Sequence, residues 1–205
     1  MDLRAIASLL QPYAAGLSDA QLGQISTYLD LLLKWNARLN LTAVRDQENI
    51  VTRHFGESFF AARRLLPAAG AIDVGSGPGF PGLPMRIYRA DLPLVLIESQ
   101  SKKATFLKEV VRALGLHDVE IFSGRAEDFA GRADLVTLRA VERFSAILPV
   151  AAGLVQPGGR LALLIGASQI NEARTTLPGY LWGDPIVIPG SASRVVLAGQ
   201  NLRGQ

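Results

Sequence analysis

Cysteine is absent from the 205 residues, and histidine occurs only twice, at His54 and His117. Without thiols there are no disulfides, thiolate metal sites or cysteine nucleophiles, and two histidines are too few to build an imidazole site, so no metal is expected. Charge is also sparse, 19% of residues against 49% hydrophobic. That balance leaves enough apolar surface to offset the ordering entropy of a folded unit, and no stretch has a disordered composition. Long apolar runs are missing: Leu161–Ile165 falls far short of the roughly 20 residues that cross a bilayer. Met1-Asp2-Leu3-Arg4 does not open a secretory signal. These absences predict a cytoplasmic protein with no membrane partner. The net charge of +3 is compatible with an anionic partner without requiring one.

What is present divides by period. Leu22, Ile25, Leu29, Leu32, Leu33 and Leu39 recur at helical spacing behind a Ser18-Asp19-Ala20-Gln21 capping box, which predicts a helix from Ser18 to about Leu39. Shorter helices are expected over Leu3–Leu10, Glu48–His54 and Glu57–Leu66, so that residues 1–68 form an all-helical N-terminal cap. Past Pro67-Ala68-Ala69-Gly70, short apolar runs alternate with helical stretches. Strands are predicted at Ala71–Val74, Pro93–Ile97, Val119–Ser123, Leu135–Leu138, Arg160–Ile165, Ile186–Ile188 and Val195–Ala198, and helices at Leu83–Arg89, Lys102–Leu114 and Arg143–Gly153. The alternation predicts an α/β, Rossmann-like core over residues 69–205, a mostly parallel sheet with helices on both faces and its last two strands in a hairpin at one edge. Residues after Gln200 are expected to fray.

The segment from Ala71 to Gly82, AIDVGSGPGFPG, joins the first core strand to a helix, where doubly wound sheets bind ligands. Gly75, Ser76, Gly77 and Gly79 form its turn, the glycines removing side chains where a ligand meets the main chain. Gly77 to Gly82 also satisfies G-x-G-x-x-G, so a nicotinamide cofactor competes. Two features favour S-adenosylmethionine. Asp73 can meet the cationic amino end of a methionine moiety, and Pro78 and Pro81 withdraw amides that a pyrophosphate would use. Glu98, ending the second strand, can accept from the ribose hydroxyls of either cofactor, and amides after the third strand, in Ser123–Asp128, can meet an adenine edge.

Taken with Lys34-Trp35-Asn36, Asn40-Leu41-Thr42-Ala43-Val44-Arg45-Asp46 and Arg53-His54, the Asp73–Gly82 turn resembles the bacterial 16S ribosomal RNA methyltransferase G family, once called glucose-inhibited division protein B. The likeness runs from about Ile25 to Gly159. It implies a class I S-adenosylmethionine-dependent methyltransferase core with an N-terminal helical cap. It implies methyl transfer to nitrogen 7 of a guanine, with 16S ribosomal RNA or the small ribosomal subunit as partner. By position it places Gly75, Phe80, Glu98, Ala126 and Glu127 in the cofactor site, and Arg139 beside the cofactor, facing the reacting base as the catalytic residue. Arg45, Arg53, His54, Lys102, Lys103, Arg125 and Arg143 are candidate contacts to RNA phosphates. Two segments depart from the family pattern. Leu164-Ile165-Gly166 has isoleucine where a lysine is usual, and Gly56-Glu57-Ser58 stands in for leucine-aspartate-serine.

The inventory suits that chemistry. Nitrogen 7 of guanine carries a free lone pair, so its methylation needs alignment and electrostatics rather than a general base. Carbon-5 methylation of pyrimidines needs a cysteine, and exocyclic-amine enzymes carry an Asn/Asp-Pro-Pro-aromatic turn where this chain has Leu138-Arg139-Ala140-Val141. The residues by themselves leave open a class I methyltransferase acting on another RNA, a protein or a small molecule, a nicotinamide-dependent oxidoreductase, and a catalytically idle binding module.

Overall fold

In this computed structural model, which describes residues 1–140 and 143–202, the N-terminal part is helical. α1 (Leu3–Leu10) is capped by Asp2, whose carboxylate accepts from the Ala5 amide at 2.8 Å. α2 (Asp19–Leu39) starts at the expected capping box: the Gln21 amide donates to Ser18 Oγ at 3.3 Å, and the Ser18 amide donates to Gln21 Oε1 at 2.9 Å. Its stripe of Leu22, Ile25, Leu29 and Leu32 is buried. The helices expected at Glu48–His54 and Glu57–Leu66 are one. α3 (Gln47–Ile50) passes through a π-helical stretch, Val51–Gly56, into α4 (Glu57–Leu65) without a break. A π-helical turn holds an extra residue and releases carbonyls from the regular pattern, which is why such stretches recur at functional sites.

The core follows as β1 (Ala71–Val74), α5 (Gly82–Tyr88), β2 (Leu94–Ile97), α6 (Ser101–Ala113), β3 (Val119–Phe122), β4 (Ala133–Arg139), α7 (Phe144–Gly153) and β5 (Val155–Gly166). α8 (Ile170–Thr176) and β6 (Tyr180–Trp182) are too short to impose a period and have no counterpart in the sequence reading. β7 (Ile186–Val187) and β8 (Arg194–Asn201) come last. The strand order is β3-β2-β1-β4-β5-β8-β6, with β7 also on β8. β1 to β5 are parallel and β8 runs antiparallel to β5. The hairpin expectation is half corrected. β7 and β8 do pair, Ile186 against Val196, but β8 lies inside the sheet between β5 and β6. Its consecutive Val195, Val196 and Leu197 are all buried, and a strand apolar on both faces needs cover on both. Asn201 belongs to β8 and is buried, so Gln200 is not where order ends; residues 203–205 lie outside the described residues.

Period-2 alternation sorts the strands into two layers. Leu94, Leu96, Leu135, Ala162, Leu164 and Val196 share one apolar cluster with α1, α2, α4, α5 and α6. Val74, Ile97, Val136, Leu138, Leu163 and Leu197 share the other with Phe144, Leu148 and Ala151 of α7 and Ala173 of α8. The N-terminal helices therefore complete one face of the sheet. Strand order reverses between β1 and β4, which opens a crevice at the carboxyl ends of the parallel strands. Among the described residues, no helix is long and apolar enough to cross a membrane, and no group of three or more His, Cys, Asp or Glu is placed to hold a metal ion.

Candidate active site

At the crevice the carboxyl ends of β1, β2, β4 and β5 and the loop after β3 line one cleft of about 1000 Å³. Gly75, Ser76, Gly77 and Phe80 of the turn border it, and Gly75 and Gly77 take φ of +66° and +55°, left-handed values that only glycine adopts at no cost. Gly79 and Asp73 of the same segment do not line the cleft. Gly79 is glycine because of protein, not ligand: a Cβ there would meet the Tyr28 hydroxyl and come within 2.6 Å of Leu83. Asp73 alternates with Ile72 and Val74 and so points under the turn. Its Oδ1 accepts from Thr137 Oγ1 at 2.7 Å and its Oδ2 from the Gly82 amide at 3.3 Å. Burial pushes its carboxyl up to about 6, against the lowering effect of hydrogen bonds from Thr137, Gly82 and Ser76. It holds the turn's shape from behind.

Glu98, 5% exposed, is held from two sides: the Gly77 amide donates to Oε2 at 2.8 Å and the Gln100 amide to Oε1 at 2.7 Å. Each carboxylate oxygen keeps a second acceptor site. The loop after β3 contributes Ala126 and Glu127 as a short 3₁₀ turn at the cleft wall.

Arg139 ends β4 and lines the cleft, yet its guanidinium is already engaged with the π-helical stretch. Nη2 donates to the Arg53 carbonyl at 2.6 Å, to Glu57 Oε2 at 3.1 Å and to His54 Nδ1 at 3.3 Å, and Nη1 donates to the His54 carbonyl and Ser58 Oγ at 3.4 Å. Glu57, 2% exposed, accepts on its other oxygen from Arg194 Nε at 2.7 Å. Because Arg139 donates to His54 Nδ1, the ring proton belongs on Nε2 and donates to Thr42 Oγ1 at 2.7 Å. Burial first, then Arg139 and Arg53, push the His54 ring down to about 3. His54 lines the cleft, and as a neutral imidazole it offers a phosphate a hydrogen-bond partner rather than a charge.

The aromatic wall is built from both parts of the chain. Phe80 is stacked between Tyr28 of α2, centroids 5.3 Å apart and 1° from parallel, and His54 at 5.0 Å and 25°. The Tyr28 hydroxyl donates to the Pro78 carbonyl. Arg53, Lys103, Arg125 and Arg143 join Arg139 and Arg194 in lining the cleft. Arg45 and Lys102 do not. Arg45 donates to the Asn36 carbonyl and Asn40 Oδ1 at the end of α2, and Lys102 borders a separate pocket.

Tyr28, Glu57 and Arg194 carry no role in the sequence reading. A glutamate inside the apolar run Phe55-Gly56-Glu57-Ser58-Phe59 signals a buried charge; Arg194 gives no such signal. The two departures also gain an account. A Cβ at Gly56 would lie 2.7 Å from the Tyr13 ring, so glycine is what lets that ring seat. Ile165 pairs with Val195 beside Arg194, which brings a cation into the cleft from β8, next to the position where the family usually has lysine.

With this geometry in view, the comparisons are consistent. The family model described as rRNA small subunit methyltransferase G matches residues 21–178. The ribosomal RNA small subunit methyltransferase G of Stenotrophomonas maltophilia (strain K279a) is 38% identical over 181 residues, covering 86% of this chain and 85% of that protein. Among solved structures, a methyltransferase from Pyrococcus furiosus aligns at a TM-score of 0.64 with 16% identity, covering 87% of this chain and 98% of its own. P. horikoshii TYW2, solved in complex with MeSAdo, aligns at 0.61 with 18% identity, over 73% of this chain and 63% of its own. These two support the fold, a class I methyltransferase core. On the extent and identity of the sequence match, this chain belongs to the rRNA small subunit methyltransferase G family.

Proposed function

We propose that this protein transfers a methyl group from S-adenosylmethionine to nitrogen 7 of a guanine in 16S ribosomal RNA, acting in the cytoplasm on that RNA or on the small ribosomal subunit. The observation that carries the reading is one cleft, in a chain of this family, that joins the glycine turn and the amide-held Glu98 to a rim of arginines around Arg139. When bound, S-adenosylmethionine supplies an electrophilic methyl group on its sulfonium sulfur. Glu98 fits the ribose: its two oxygens are aimed by the Gly77 and Gln100 amides and keep acceptor sites for two hydroxyls. Gly75 and Gly77 leave the main chain open, while Ala126 and Glu127 form the wall for the adenine.

The acceptor nitrogen brings its own lone pair, so the chain need only orient the base and steady the charge. His54 fits this, since its ring is neutral, its Nδ1 is engaged by Arg139, and it serves as no base. Arg139 reaches the base or its phosphate by exchanging the Arg53 and His54 carbonyls for substrate, while the buried Glu57 keeps the guanidinium at the cleft. Arg53, Lys103, Arg125 and Arg143 offer charge to the phosphates on either side.

The test is a nucleoside map by mass spectrometry of 16S ribosomal RNA with and without the gene. One 7-methylguanosine is expected to vanish on deletion, to return with the wild type and to stay absent with Arg139→Ala. A map unchanged by deletion rejects the reading.

A further inference from the structure

Outside the cleft, the last turns of α2 and the first turn of α6 enclose a pocket of about 290 Å³ lined by Lys34, Trp35, Arg38, Leu39, Lys102 and Thr105. Its floor is apolar and its rim is cationic. Trp35 and Leu39, four residues apart on α2, form the floor, and the Trp35 ring is backed by Phe106 at 5.7 Å. Lys34, Arg38 and Lys102 are exposed, no acidic residue lines the pocket, and none of the three forms an ion pair among the described residues. The pocket adjoins the cleft at two places. Lys102 borders the pocket while its neighbour Lys103 borders the cleft, and Leu39 borders the pocket while Leu41 and Thr42 border the cleft. Three unpaired cations gathered around a half-buried indole repel one another, an arrangement that an anion with a flat apolar part relieves.

We propose that this pocket binds a nucleotide of the RNA substrate that flanks the guanine held in the cleft, its base against Trp35 and Leu39 and its phosphodiester among Lys34, Arg38 and Lys102. Aromatic faces accept any base by stacking, and cations follow the backbone, so the contact adds affinity and register without reading sequence. The inference rests on the ribosomal RNA reading above.

Small ribosomal subunits from a strain lacking the gene serve as substrate. The triple variant Lys34→Ala, Arg38→Ala, Lys102→Ala is expected to raise KM about tenfold or more, with kcat and S-adenosylmethionine affinity unchanged. The slope of log affinity against log salt should fall by about 0.7 to 0.9, since the one phosphodiester of this nucleotide loses its cations. Trp35→Leu keeps an apolar side chain against Phe106; it is expected to raise KM severalfold and leave the salt slope alone. All side chains of the triple variant are exposed, so an unchanged melting temperature is expected. A KM within twofold of wild type with an unchanged salt slope overturns the proposal, as does a loss confined to kcat. So does a triple variant that loses only binding to phosphatidylserine vesicles. A wild-type protein that transfers no methyl group to such subunits overturns the ribosomal RNA reading itself, and this proposal with it.

Discussion

Asp73 and Arg139 were both expected in the cofactor site, and the structure gives them unlike tasks. Asp73 is a buried acid whose carboxyl rises from 3.8 to about 6 through burial. A group raised in the folded state contributes stability that is complete below its unfolded value and is lost as pH climbs through its folded one, here between about pH 4 and pH 6. Asp73→Asn can keep the Gly82 amide as donor and turn its own amide to Thr137. The wild type is therefore expected to lose about 2 kcal/mol more than Asp73→Asn between pH 4 and pH 7, read by urea unfolding across the series. His54 shifts oppositely, being lowered to about 3, so its contribution is present above 6.5 and fades on acidification. It is common to both proteins and cancels in the comparison; identical pH slopes would remove Asp73 from the account.

Arg139 is a cation that shares a buried carboxylate with Arg194. Arg139→Ala leaves Glu57, 2% exposed, with one partner and is expected to cost about 3 kcal/mol of stability. Adding Glu57→Gln to it should recover part of that loss, because the half-paired charge goes with it. Turnover should fall strongly in both, with S-adenosylmethionine affinity within about twofold of wild type. Strict additivity in the unfolding energies would mean that the pair does not share its charge. Neither role was legible beforehand, since a residue's position beside a motif does not say which side of the strand it occupies or which charge it meets.

At the scale of elements, the helix running from Gln47 to Leu65 and the glycine turn are two halves of one wall. The π-helical stretch presents the carbonyls of Arg53 and His54 to Arg139, and α2 sends Tyr28 to the back of the turn. Tyr28→Phe preserves the stack on Phe80 but strands the Pro78 carbonyl, a loss of about 1–3 kcal/mol. Since that carbonyl lies between Gly77 and Gly79, the variant is also expected to weaken S-adenosylmethionine binding severalfold in calorimetry. Wild-type affinity would show that the turn keeps its shape without the bond. The ends of α2 and the parallel strands were readable because caps and apolar periods are local. The π-helical stretch was not, because an extra residue in a turn shifts the helical period and mimics a break, here at Phe55-Gly56.

For the whole molecule, the division at residue 68 marks a change of secondary structure rather than a boundary of packing. One apolar cluster takes Ile6, Ile25, Leu29 and Phe55 together with Leu83, Leu96, Phe106 and Leu164. A chain of residues 69–205 alone is expected to lack a cooperative thermal transition and to be digested rapidly by protease, since a whole face of its sheet loses cover. A sharp melt from that fragment would show that the core folds without the helical cap.

The amino-acid sequence by itself determined the elements with long local periods, the parallel α/β core, the turn at the carboxyl end of its first strand and the exclusion of thiol chemistry, because each follows from residue type and near spacing. Tertiary structure alone decided that β8 lies inside the sheet, that Asp73 supports the turn from beneath, and that Glu57 joins Arg139 to Arg194. Those outcomes depend on burial and on charges far apart in the chain, which only folding brings within reach of one another.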